Sequence, residues 1–313
     1  MAAHRSMAKE ASEMTTQIRG TVLLDESMAR HCSWRCGGNA KQYFMPADLA
    51  DIQVMLQQLP SDEKILWLGL GSNLLVRDAG FDGTVIVTQN VMRQLELKES
   101  NTVYVGAGVA DAKLARFTTR HHLTKGEFFA GIPGLVGGAL AMNAGAFGGE
   151  TWRQVVSVET LDRSGTLHTR TPNEYEIDYR HVQLKNAQHE EWFVAATMWF
   201  EKLSDATNTH MLDIKQLLAK RAATQPVGSA NCGSVFRNPD NDFAARLIES
   251  CGLKGKRIGG AMVSEKHANF IINDDNASAS DIENLIEYVQ HVVLDKCGVE
   301  LKTEVRIVGE KLS

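Results

Sequence analysis

An α+β fold in segregated domains is what this 313-residue sequence predicts, and three observations predict it. The middle of the chain alternates apolar and polar residues with the period of a strand. The last third alternates helical and strand patterns. Two glycine-rich turns interrupt apolar segments in the first half: "GLGSN" at 69–73 and "GIPGLVGGALAMNAGAFGGE" at 131–150. Seven of the twenty residues in the second are glycine, and no charge appears before Glu150. Glycine loses the most backbone freedom on folding, so such a run needs a reason.

Residues 1–25 contain no apolar segment of the signal-peptide kind and are expected to form a flexible tail. "PADLADIQVMLQQLP" (Pro46–Pro60) has helical spacing between two prolines and predicts one short helix. "KILWLGLGSNLLV" is an apolar run that breaks into glycine and resumes. "GTVIVTQN" and "NTVYVGAGV" predict strands. "DAKLARFTTRHHL" predicts a helix capped by Asp111. Val155–Thr171 alternates and turns at Ser164-Gly165, a hairpin signature, and "EWFVAATMWFEKL" is a further strand. The polar stretch "SDATNTH" places a domain boundary near residue 205, before the helix "MLDIKQLLAKRAA". Beyond it come the helix "DNDFAARLIESCGL", the strand "ANFIIN", the long helix "SASDIENLIEYVQHVVLDKCG" with a Ser/Asp start and a Gly stop, and a final strand "LKTEVRIVG".

Hydrophobic content of 43% and charged content of 23% allow a sizeable core. A net charge of −5 without a basic block argues against nucleic acid as the principal partner. No run of about 18 apolar residues exists, so no membrane span is expected. Cys32, Cys36, Cys232, Cys251 and Cys297 are scattered, as free thiols of a reducing cytosol would be. The histidines are too dispersed for a metal site, and none is expected.

A dinucleotide-binding fingerprint needs G-x-G-x-x-G between a strand and a helix. Here Leu74 stands where the third glycine belongs, and an apolar strand-like run follows. The fingerprint fails, but its physics survives. Gly69, Gly71, Ser72 and Asn73 can turn successive N–H groups, a hydroxyl and an amide toward one anion. The 131–149 stretch offers the same on a larger scale, with Pro133 stiffening a turn before a short helix. Two such cradles suit a ligand with a diphosphate and a flat ring system.

At this point the motifs become specific. "GLGSNLLVRDAGFDGTVI" and "GIPGLVGGALAMNAGAFGGE" resemble segments of the UDP-N-acetylenolpyruvoylglucosamine reductases. "SWRCGGNAKQYFMP", "IDYR", "NCGSVFRNP", "GGAMVSEKHANFIIN" and "TEVRIVG" match in the same order, so the likeness spans about residues 27–309. The resemblance implies a two-part FAD-binding domain of the vanillyl-alcohol oxidase (PCMH) type at 26–205, divided near 95/96, and a C-terminal α+β substrate-binding domain at 206–313. It implies a cytoplasmic monomer that uses non-covalent FAD and NADPH to reduce the enolpyruvyl ether of a UDP-sugar in peptidoglycan precursor synthesis. FAD would contact Gly69, Gly71, Ser72, Asn73 and Leu74 in the first turn. In the second it would contact Gly131, Ile132, Pro133, Gly134, Gly137, Gly138, Asn143 and Gly145.

The implied chemistry delivers hydride to the terminal CH2 carbon, so charge builds toward the carboxylate and a proton must reach the middle carbon. By the resemblance Ser234 is the proton donor, although an isolated Gly-Ser is ordinarily a turn. Arg180 would hold the substrate carboxylate through its planar fork. Glu304 would donate to the forming enolate or polarise the carboxylate. Arg306, two residues on, shares the strand face of Glu304 and is placed to pair with that acid or touch phosphate. For the nucleotide-sugar, the resemblance points to Asn238 and His267, then Arg221 and Lys256, with Arg237 and Lys266 as weaker candidates. Only "HVQLKNAQHEE" separates Arg180 from the next strand, too short for the tyrosine-bearing lid loop of the commoner subclass, and Tyr179 is no obvious substitute. An alcohol-oxidase-like flavoenzyme of the same fold is the alternative; such enzymes often tether flavin through a histidine, and none lies within 69–83 or 126–150.

Overall fold

The computed structural model describes residues 17–187, 189–203 and 214–311. β1 (Thr21–Ser27) pairs antiparallel with β2 (Asn39–Met45). After α1 (Leu49–Gln58) come β3 (Ile65–Leu68), β4 (Leu74–Val76) and β5 (Phe81–Val87). Both β2 and β3 run parallel to β5, giving a four-stranded sheet in the order β1-β2-β5-β3. α1 starts at an Asp48 cap, and the carboxylate of buried Asp51 accepts from the N–H groups of Arg19, Gly20 and Ala47 at 2.7–2.9 Å. One side chain thus staples the entering chain to the first sheet.

The second sheet begins with β6 (Leu95–Leu97), β7 (Thr102–Gly106), β8 (Val155–Asp162) and β9 (Leu167–Arg170). Between β7 and β8 lie α2 (Asp111–Arg120) and α3 (Val136–Ala141); after β9 come the hairpin of β10 (Tyr175–Asp178) and β11 (His181–Leu184), then β12 (Glu191–Trp199). The five strands form an antiparallel sheet in the order β9-β8-β12-β7-β6. Its inward face packs on α2 and α3 around Val103, Leu114, Phe129, Val136 and Met198.

The remaining chain contributes α4 (Ile214–Thr224), α5 (Ala244–Ser250), the three-stranded antiparallel sheet of β13 (Arg257–Ile258), β14 (Ala261–Val263) and β15 (Ile271–Asn273), and α6 (Ala279–Cys297). Ser278 and Asp281 form a capping box on α6, and Gly298 ends it in the left-handed conformation. Its buried stripe of Ile282, Leu285, Ile286, Val289 and Val293 faces the last core. β16 (Arg306–Val308) leaves that core and pairs in parallel with β4, far back in the chain. Trp34 does the reverse: it is buried in the last core and donates through Nε1 to the Ile271 carbonyl at 2.8 Å.

Several expectations change. β1 begins inside the segment expected as tail, where Thr21–Leu24 pair with Gln42–Met45 of β2. The division at 95/96 falls within β6, and the boundary near 205 lies outside the described residues. Asp111 does not cap its helix; Ala110 holds that position, and Asp111 is the first helical residue, fully buried. The final strand is only three residues long, since Thr303 bridges Phe236 instead of continuing β16. Among the described residues no helix is long and apolar enough to cross a membrane, and no group of three His, Cys, Asp or Glu side chains could hold a metal.

The joint between the halves is polar as well as apolar. Asp78, just after β4, accepts from Ala279 N at 2.9 Å, Ser280 N at 2.8 Å and Ser280 Oγ at 2.6 Å, a second cap on α6. Burial opposes its ionised form, but the bonds from Ser280 and Ala279 prevail and hold the carboxyl below its usual range. A depressed carboxyl stabilises the fold above its unfolded pKa, and that contribution is lost as pH falls through the folded value. Asp78→Ala should therefore lower the unfolding free energy at pH 7 by about 1–2 kcal/mol. Urea titrations should show the gap from the parent closing on acidification; an undiminished gap in acid would remove charge from the explanation.

Candidate active site

The two glycine turns face one another across a cavity of about 530 Å³. Gly69 to Leu74 line it from the first turn, and Ile132, Gly134 and Gly138 from the second, while Arg180, Arg237 and Glu304 also line it. A second cavity of about 490 Å³ is lined by Pro133, Arg221, Asn231 and Gly233, and Ser72 belongs to the walls of both.

The glycines divide into two kinds. Gly71 has φ +61°, and a Cβ there would overlap the His31 carbonyl oxygen, so the turn itself demands it. Added Cβ atoms at Gly131, Gly137 and Gly145 would crowd the Phe147 ring, Ala107 and the Gly149 carbonyl. Those three serve close packing within the protein, and none of them lines the main cavity. Gly138 differs: a Cβ there would meet no protein atom within 4 Å, yet the residue lines the cavity. At Gly69 a Cβ would make only ordinary contact, 3.4 Å from Leu135. The glycines of the run thus fall into a few that face the cavity and others that serve packing within the protein.

Polar atoms sharpen the picture. Among the described residues five buried side-chain N or O atoms lack a hydrogen-bond partner: Trp67 Nε1, Asp111 Oδ1 and Oδ2, Arg237 Nε and the Tyr175 hydroxyl. All but the last belong to residues that line the main cavity. An unpaired buried polar atom costs about 1–3 kcal/mol, so a cluster of them at one wall marks a ligand's place. Leu66, Leu68 and Leu135 add apolar surface there. Apolar walls, convergent unpaired polar atoms and cavity-facing glycine together fit a flat ring system joined to a diphosphate, as FAD is.

Arg180 stands at the tip of the β10–β11 hairpin with φ +56°, an uncommon conformation for a non-glycine residue. Its Nε donates to Glu304 Oε1 at 2.9 Å, and its terminal nitrogens donate to the carbonyls of Asn143 at 3.2 Å and Gly145 at 3.0 Å. Those bonds engage three of the five guanidinium donors and leave one on each terminal nitrogen. The side chains of Arg180 and Glu304 are 15% and 11% exposed. Burial pushes the Glu304 carboxyl above its usual range, against the pull of Arg180 and Arg237. Asn73 Nδ2 donates to the Glu304 carbonyl at 3.1 Å, tying this acid to the first glycine turn. Arg306, expected on the face of Glu304, is exposed and lines the main cavity with it.

Ser234 is half-buried on a segment fastened from several directions. Asn231 Oδ1 accepts from Gly233 N at 2.9 Å, with Gly233 at φ +77°. Cys232 Sγ donates to the Gly71 and Leu74 carbonyls at 3.6 and 3.5 Å, and burial pushes its thiol up to about 12. Val235 N donates to the Asn269 carbonyl, and the Asn269 side chain bonds both backbone groups of Phe236. The Val235 carbonyl in turn accepts from Glu304 N at 2.7 Å. Ser234 lines neither cavity, though Gly233 lines the second.

The other candidates scatter. Arg221 donates to the Gly131 carbonyl at 2.8 Å and lines the second cavity. Asn143 is buried as a bracket: its amide donates to the Asp178 carbonyl, and its oxygen accepts from Trp152 N. Asn238 Oδ1 accepts from Ala244 N at the start of α5. Lys256 lies 4.6 Å from the Tyr288 ring centroid. His267 packs edge-on against Phe270, which lines the second cavity, and burial together with Lys254 lowers its pKa. Asn238, Lys256 and His267 line neither cavity. Sequence reasoning missed Trp67, Asn269 and the unpaired carboxyl of Asp111, and it ranked Arg237 low. Their spacing carries no signal; only three-dimensional convergence does.

Comparison with known proteins agrees with this geometry. A family model described as FAD binding domain matches residues 40–171, and one described as UDP-N-acetylenolpyruvoylglucosamine reductase, C-terminal domain, matches residues 225–308. The UDP-N-acetylenolpyruvoylglucosamine reductase of Legionella pneumophila (strain Paris) is 51% identical over 300 residues, covering 96% of this chain and 97% of the relative. That of Thiobacillus denitrificans is 50% identical over 307 residues, covering 94% of each. The crystal structure of the enzyme from Thermus caldophilus superposes with a TM-score of 0.76 at 28% identity, over 93% of this chain and 99% of the other. Half of all positions shared across nearly the whole length is decisive: the chain belongs to the UDP-N-acetylenolpyruvoylglucosamine reductase family.

Proposed function

We propose that this chain reduces the enolpyruvyl ether of UDP-N-acetylglucosamine enolpyruvate to UDP-N-acetylmuramate, with NADPH as reductant and FAD held in the main cavity, as a cytoplasmic monomer. The observation that carries this reading is the convergence of unpaired buried polar atoms on one cavity beside the Arg180–Glu304 pair. When bound, FAD supplies the two-electron chemistry that links NADPH to the substrate.

This chain's residues then have defined tasks. Gly69, Ser72, Asn73, Leu74, Ile132, Gly134 and Gly138 would hold FAD from the cavity wall; Gly71, Gly131, Gly137, Asn143 and Gly145 would act one step back, by shaping the turns. Arg180 would receive the substrate carboxylate end-on, through the donors left free on its two terminal nitrogens, and stabilise charge as it builds there. Glu304 fixes the guanidinium and, with its raised pKa, can carry a proton toward the forming enolate. Ser234, braced by Asn231, Cys232 and Asn269, would place a proton on the middle carbon. The diphosphate of the sugar nucleotide would lie toward Arg221 in the second cavity, and Asn238, His267 and Lys256 would need to move or act at longer range.

Three variants test this. Gly138→Val should leave the unfolding free energy within about 1 kcal/mol of the parent, since an added Cβ there meets no protein atom within 4 Å. It should nevertheless abolish flavin retention, read as absorbance near 450 nm after gel filtration (about 450 nm being general flavin absorbance). In stopped flow, Ser234→Ala should still bleach with NADPH but recolour with the enolpyruvyl nucleotide at least about 100-fold more slowly. Arg180→Lys should lose a comparable factor, because a point charge does not replace a planar fork. Turnover near the parent rate in either variant would remove that residue from the mechanism.

A further inference from the structure

Asp111 stands out among the buried groups that the reaction does not use. It is 0% exposed, and neither carboxyl oxygen has a hydrogen-bond partner among the described residues. Its backbone N–H donates to the Gly134 carbonyl at 3.1 Å, and the neighbouring bridge joins Ala110 to Leu135. The first residue of α2 is thereby pinned under the second glycine turn. A Cβ at Gly134 would lie 3.2 Å from Asp111 Oδ2 and 3.6 Å from Ser72 Oγ, so the carboxyl sits between the two turns. The segments 66–74 and 131–141 contain no ionisable side chain, and on α2 itself Lys113, Arg116 and Arg120 are exposed. With no cation against it, burial alone raises the carboxyl well above its usual range. A neutral carboxyl is a donor, and the group between two backbone cradles that most needs donors is an oxyanion.

We propose that the Asp111 carboxyl donates a hydrogen bond to a diphosphate oxygen of FAD, between the turns at 69–74 and 131–138. The proposal rests on the reading that this cavity holds FAD. It also explains why the molecule keeps a desolvated acid whose cost is recovered only with ligand bound. A merely structural aspartate would support the fold in either state, whereas a ligand-directed one burdens the protein without its ligand.

Asp111→Leu and Asp111→Asn, both close in shape to the parent residue, separate these cases. The readout is FAD release from diluted holoenzyme, followed as flavin fluorescence, together with the Tm of the FAD-stripped protein. Asp111→Leu should weaken FAD binding about 10–100-fold, the loss of one hydrogen bond to a charged group. It should raise the Tm of the stripped protein by about 2–4 °C. Asp111→Asn, which keeps an N–H donor, should hold FAD within about fivefold of the parent. FAD held as tightly by Asp111→Leu as by the parent, or as weakly by Asp111→Asn as by Asp111→Leu, would overturn the proposal. So would a lower Tm in both stripped variants. Gly138→Val tells this failure from failure of the cavity reading: if it still retains FAD, the cofactor lies elsewhere and the proposal falls with the site.

Discussion

The parallel pairing of Leu74–Val76 with Arg306–Val308 is the constraint on which the site depends. It joins the exit of the first glycine turn to the end of the chain. Closing a loop of that length costs about 5 kcal/mol of chain entropy by the logarithmic scaling of loop closure. Burial of Leu75, Val76 and Val305 opposes that cost, at about 1.5–3 kcal/mol for each large side chain removed from water. The two effects are of one size, so the polar clamps decide the joint. Arg77 binds both oxygens of Glu283 and the Gly309 carbonyl, and Asp78 caps α6. Trp34 secures the same junction from the other side.

Around that junction stand the three proposed catalytic elements, from three places in the chain. The hairpin tip brings Arg180, the approach to β16 brings Glu304, and the braced loop at 231–236 brings Ser234. Each is tied to another's support. Asn73 holds the Glu304 backbone, Cys232 bonds carbonyls of the first glycine turn, and Val235 accepts from Glu304. A cofactor gripped by that turn is therefore registered against the acid–guanidinium pair through backbone bonds, not through long flexible side chains. Such bracing is what keeps reacting groups within the small tolerances that catalysis requires.

The electrostatics follow the same plan. Glu304 is pushed toward its neutral form by burial and drawn back by Arg180 and Arg237, and burial prevails. Asp111 has no such counterweight, and burial alone raises its carboxyl well above the usual range. Two acids lining one cavity thus meet different surroundings, one faced by guanidiniums and the other by none.

Much of this was legible beforehand. The capping box and terminal glycine of α6, the hairpin at Ser164-Gly165 and the failure of the dinucleotide fingerprint are local patterns, and local patterns are set by covalent geometry and side-chain chemistry. Motif order likewise pointed to Arg180, Ser234 and Glu304 through resemblance. Other matters were decided only in three dimensions. Whether a glycine is spared for a ligand, as at Gly138, or for its own neighbours, as at Gly137, depends on atoms distant in sequence. Asp111 looks like an ordinary cap until its surroundings prove apolar. The last strand begins only after Glu304, while Thr303 bridges Phe236. Sequence by itself determined the elements and the residue types on offer, since these follow from short-range periodicity. Tertiary packing decided which polar atoms were left without partners, since desolvation and hydrogen bonding are properties of the folded environment.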